Sequence, residues 1–140
     1  MTVETSRNIL NIFGIVDIIH GALELFFGFL ATAGGGLLAS GKLTAASGVT
    51  GRLVFMAASV FLLLGVFSLV EGILSRRAAK DEGSVEPVFV TAVVSLVLAV
   101  GTLIGAAAWS GSPASSIVSI VINVLLVMAA DTLRKDEVTA

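Results

Sequence analysis

Residues 9–31 read ILNIFGIVDIIHGALELFFGFLA. About 20 mostly apolar residues suffice to cross the hydrocarbon of a bilayer, so the run is long enough, yet it carries Asp17, His20 and Glu24. Successive residues of an α-helix turn by about 100°. With Asp17 taken as the reference, Gly14 falls about 60°, Gly21 about 40° and Gly28 about 20° to one side, while His20 falls about 60° and Glu24 about 20° to the other. The polar and small residues share one broad face, and Ile15, Ile18, Phe26 and Phe29 lie towards the other. The segment therefore reads as a membrane helix with a lipid side and a protein side.

The rest of the chain repeats this character. Apolar segments of similar length run over residues 53–75, 87–109 and 113–132, without the period-2 alternation of a membrane β-barrel. Only 13% of the 140 residues are charged and mean hydropathy is +1.07, whereas a soluble domain carries about 25% charged residues. The expected fold is all-α: one polytopic domain, residues 1–140, a bundle of four transmembrane helices. The first apolar run is longer than the roughly 7–15 residues of a signal-peptide core and reads as a span.

Boundary signals have physical causes. Pro87 and Pro113 sit where a first helical turn needs no N–H, with Ser112 as an N-cap. Arg76 and Arg77 end the second span, and Trp109 suits an interface. SGSPAS, residues 110–115, reads as a tight hairpin, and the Gly-, Ala- and Ser-rich stretch 32–52 as a flexible loop. Arg7, Arg76, Arg77, Lys80, Arg134 and Lys135 fall on one side of the four spans, against Lys42 and Arg52 on the other. The positive-inside rule then puts both termini in the cytoplasm and the protein in the cell membrane, inner or plasma. The mixed-charge loop RRAAKDEGSVE and the tail RKDEVTA read as solvated surface.

Several function classes drop out. The chain has no Cys, which removes disulfides, thiolate nucleophiles and iron–sulfur ligation. A net charge of −2 with no basic stripe argues against nucleic acid. No GxGxxG, Walker or GxSxG pattern is present, so neither a cofactor nor catalytic residues are expected.

Polar and small residues recur on the other spans. GIVDIIHGALE and GVFSLVEGILS align without a gap, matching Gly14 with Gly65, Asp17 with Ser68, His20 with Glu71 and Gly21 with Gly72. The pair reads as chance similarity or as an inverted repeat of the kind some transporters show. Thr91, Ser95, Ala99, Thr102 and Ala106 line one face of the third span, and Ser116, Ser119 and Asn123 one face of the fourth. Small residues let helix backbones approach, and hydroxyls and amides bond across. Gly14, Gly21, Gly28, Gly65 and Gly72 are therefore expected to be packing positions, with Ser68, Ser95, Ser119 and Asn123 as a supporting polar face.

A charged side chain at the bilayer centre costs at least about 2.5–3.5 kcal/mol, so the acidic groups must be paired, protonated or wet. Asp17 and Glu24 lie about 10.5 Å apart along the helix axis with His20 between them, and Glu71 lies about 7.5 Å inside the end marked by Arg76. The expectation is one buried polar cluster of Asp17, His20, Glu24 and Glu71. Three readings of it compete. It fixes helix register and assembly in a structural or partner-binding module, a homo-oligomer or one member of a larger membrane complex. It carries protons or cations in a small carrier or channel. Or Asp17, His20, Glu24 and Glu71 bind a metal, as carboxylate–histidine sets do in helix bundles.

GIVDIIHGALELFFG, the glycine spacing of LLLGVFSLVEGIL, RRAAKD followed by PVFVTAVVSLVLAV, and SSIVSIVINVLLVMAADTLRK together resemble small bacterial four-span membrane proteins. The order of spans is similar to that of tetraspan proteins of the kind that includes a B-lymphocyte surface antigen. The resemblance implies a four-helix membrane bundle, often self-associating, and no catalytic residues.

Overall fold

The computed structural model describes residues 1–39, 48–80, 84–108 and 114–139, with side chains at all of these except 35–39, 48–52, 102, 105–108 and 114–116. Every regular element among them is an α-helix: α1 (Val3–Ala39), α2 (Gly48–Ala79), α3 (Glu86–Ala108) and α4 (Ala114–Thr139). Among the described residues, Val3–Gly34, Leu53–Ala79 and Ile117–Thr139 are long and apolar enough to cross a membrane, and the part of α3 from Glu86 to Gly101 is apolar too.

The helices outrun the apolar spans. α1 starts at Val3 rather than Ile9, and α4 ends at Thr139 rather than Thr132. Apolar length marks where hydrocarbon would lie, while backbone hydrogen bonding continues until a cap or breaker stops it. Thr2 caps α1: its Oγ1 accepts from the Thr5 N–H at 3.2 Å, and its carbonyl accepts from the Ser6 N–H at 3.0 Å. Of the expected loop 32–52, residues 32–39 and 48–52 are helical, and 40–47 lie outside the described residues. So do residues 81–83 and 109–113, which include Trp109 and Ser112.

The chain forms two compact units, Met1–Ile15 with Glu71–Ala140, and Val16–Val70. In the first, α3 and α4 pack against each other, around Leu10, Val88, Leu126 and Leu133, with Ala78, Ala92, Ala129 and Ala130 allowing close approach. Arg134 joins the start of α3 to the end of α4. It lies 3.7 Å from Glu86 and 3.1 Å from Asp131, and its guanidinium lies over Phe89, 4.1 Å from the ring centroid. Lys135 reaches Asp131 at 2.6 Å. These exposed ion pairs are individually weak, so the cation–π contact is the distinctive part. Arg134→Lys is therefore expected to lower stability by about 0.5–1 kcal/mol, the size of an exposed cation–π contact. Chemical denaturation of the two proteins in detergent measures it.

In the second unit, α1 and α2 meet backbone to backbone. A Cβ on Gly21 would stand 2.7 Å from the Gly65 carbonyl oxygen and 2.8 Å from the Leu69 nitrogen. One on Gly65 would stand 2.9 Å from the Leu25 nitrogen, and one on Gly28 3.0 Å from Leu62. Within the first unit Gly14 is as tight, 2.8 Å from the carbonyl oxygen of buried Gly72.

Candidate functional site

Two carboxylates organise the polar groups, one in each unit. Glu24 lies in the second. His20, one turn earlier on α1, places Nε2 3.2 Å from Glu24 Oε1, and Ser68 of α2 donates through Oγ to Glu24 Oε2 at 3.2 Å. Antiparallel packing on small residues lets a short serine reach across to the carboxylate. The two members of the α1 pair differ sharply in environment: the Glu24 side chain is 15% exposed and that of His20 64%. His20 is thus on the outer edge of the stripe and not buried within it. Asp17 is half-buried on α1.

Glu71 lies in the first unit and is only 5% exposed. Ser95 of α3 donates through Oγ to Glu71 Oε2 at 2.6 Å, while Oε1 is buried with no hydrogen-bond partner among the described residues. Among the described residues no cationic side chain is paired with it. Ser75, one turn further along α2, is 1% exposed, and its hydroxyl is likewise buried without a partner among the described residues.

The remaining expected polar positions serve their own helix. Asn123 donates through Nδ2 to the Ser119 carbonyl at 2.8 Å and lies 3.4 Å from the Ser119 hydroxyl. Sequence analysis carries Ser75 only as the last residue of GVFSLVEGILS, although its position four residues after Glu71 was the available signal. It also passed over the Asp131, Arg134 and Lys135 group, whose i,i+3 and i,i+4 spacing is equally plain.

The chemistry open to these groups is narrow. Ser68 donates to Glu24 rather than to His20, so it is not set up as a histidine-activated nucleophile. Among the described residues no group of three or more His, Asp or Glu side chains could hold a metal ion. What the arrangement offers is hydrogen bonding across helices and oxygen donors in buried surroundings. Compared with protein-family models, curated proteins and solved structures, the chain matches none.

Proposed function

We propose that this chain is a structural, partner-binding module of the cell membrane that self-associates through the α1 face carrying His20. The observation that carries the reading is the 64% exposure of the His20 side chain at the midpoint of the 9–31 apolar run. An ionisable side chain inside a span faces protein or water rather than lipid. The glycine faces are already engaged within the chain, which leaves the His20 face for a neighbour. Val16, Leu23, Phe27 and Leu30 are exposed beside it, at the alternating spacing of four and three residues that suits a helix–helix seam. His20 and Glu24 put a donor and an acceptor on one patch, so the patch complements a second copy of itself across a two-fold axis.

In this reading α3 too crosses the membrane, giving four spans, both termini are cytoplasmic, and the protein is multi-pass. The Lys and Arg distribution supports that orientation, and the resemblance to small tetraspan proteins agrees with it.

Energy transfer between labelled copies in liposomes tests the proposal. The chain lacks Cys, and Val138 is 84% exposed, so Val138→Cys supplies a single labelling site. The native protein is expected to dimerise, and His20→Leu to weaken the dimer about ten-fold, from the roughly 1–2 kcal/mol of an interhelical hydrogen bond in lipid. A native monomer, or a dimer indifferent to His20→Leu, would overturn it.

A further inference from the structure

We propose that Glu71, Ser75 and Ser95 form a binding site for a small monovalent cation, with Na⁺ as the ion. The site lies wholly within the unit formed by Met1–Ile15 and Glu71–Ala140 and does not depend on self-association.

Three observations converge. The first is the pair of orphaned oxygens, Glu71 Oε1 and Ser75 Oγ, on side chains 5% and 1% exposed. They stand one helical turn apart on α2, on one face. Polar groups buried to this degree are nearly always bonded, so an unbonded pair calls for an account.

The second is the behaviour of five other helical hydroxyls, which Thr32, its Oγ1 also buried without a partner among the described residues, does not share. Ser6, Ser59, Thr91, Thr132 and Thr139 each donate to the carbonyl four residues back, at 2.8–3.0 Å. That bond is open to any serine in a helix. Ser75 does not make it. Its oxygen is buried, off its own backbone, on a residue one helical turn from Glu71. Ser95 brings a third hydroxyl from α3, 2.6 Å from Glu71 Oε2, and a hydroxyl that donates to a carboxylate keeps lone pairs for a cation.

The third is charge. One carboxylate stands here with no cationic side chain paired to it among the described residues. A single positive charge balances it, whereas a divalent ion would leave a surplus in an apolar setting. Ca²⁺ takes six to eight oxygens, usually from several carboxylates, and Mg²⁺ keeps most of its water. Carboxylate and hydroxyl oxygens are hard donors, without the thiolate or imidazole that softer metals select.

The test is thermal unfolding of the purified full chain in detergent, in NaCl against choline chloride at equal ionic strength. A ligand that binds only the folded state raises its stability. At Na⁺ about ten-fold above its dissociation constant the midpoint is expected to rise by about 3–6 °C. Equilibrium dialysis with radioactive Na⁺ should show one saturable site per chain. Ser75→Ala should weaken binding about ten-fold and Glu71→Gln should abolish it. Ser59→Ala, which removes a hydroxyl already bonded to its own helix, should leave it unchanged. If Glu71→Gln does not fold, the two serine variants carry the comparison. Equal midpoints in Na⁺ and choline would overturn the proposal in favour of a bridging water or a proton on Glu71. An undiminished Na⁺ response in Ser75→Ala would overturn it too.

Discussion

Gly21→Ala is expected to destabilise the protein by about 1–3 kcal/mol, the usual cost of overpacking, although alanine is the better helix former. The added methyl would stand 2.7 Å from the Gly65 carbonyl oxygen and 2.8 Å from the Leu69 nitrogen. Both obstacles are backbone atoms, so no side-chain rotation relieves them, and α1 and α2 must separate locally. Gly101→Ala provides the control. A Cβ there meets nothing within 4 Å, so the same change should be neutral or stabilising, by up to about 1 kcal/mol from helix propensity. Denaturation of both variants in detergent separates the effects. A Gly21→Ala protein as stable as the native one would mean that the close approach of α1 and α2 contributes little.

The second large effect concerns Ser95. Ser95→Ala removes the only hydrogen bond that the Glu71 side chain makes among the described residues, leaving both carboxyl oxygens buried and unbonded. The expected loss is about 1–3 kcal/mol, measured in Na⁺-free buffer so that cation binding does not enter. Replacing both partners by apolar groups should restore much of the stability, because no polar group is then stranded. The double variant Glu71→Met with Ser95→Ala is therefore expected to be more stable than Ser95→Ala alone. The double-mutant cycle should show a coupling of at least about 0.5 kcal/mol. A coupling near zero would mean that the 2.6 Å bond contributes nothing to folding.

How much of this could be read beforehand differs from residue to residue. The all-helical class was legible from residues 9–31, because continuous apolar character over that length suits little else. Helix ends were not, since Thr2 and the charged turn around Asp131 extend α1 and α4 past the apolar residues that marked the spans. The exposure of His20 was legible in principle. On the helical wheel Gly14, Gly21 and Gly28 cluster about 40° to one side of Asp17 and His20 lies about 60° to the other, an angle of about 100° between them. Glycines mark where a neighbouring backbone comes closest, so a line through them, rather than through the charges, points to the packed side. Treating all six residues as one face blurred that distinction. The bond from Ser95 to Glu71 could not be read at all. Both residues stood out as polar, but which serine meets which carboxylate depends on the register between α2 and α3, and no local pattern fixes it.

The lengths of the helices have a mechanical consequence. α1 holds 37 residues and α2 32, well beyond the roughly 20 that a span needs. A whole bilayer with its headgroups is about 40–45 Å thick. If α1 and α2 cross the membrane as proposed, both have residues in reserve, so a membrane thicker by a few ångströms would draw more of each into the headgroup layer without exposing a helix end. α3, with 23 residues, extends about 35 Å, close to the hydrocarbon thickness alone. If α3 spans the membrane as proposed, it has no such reserve. It would take up the strain in sterol-rich or long-chain lipid, and so set the range of membranes in which the protein sits at ease.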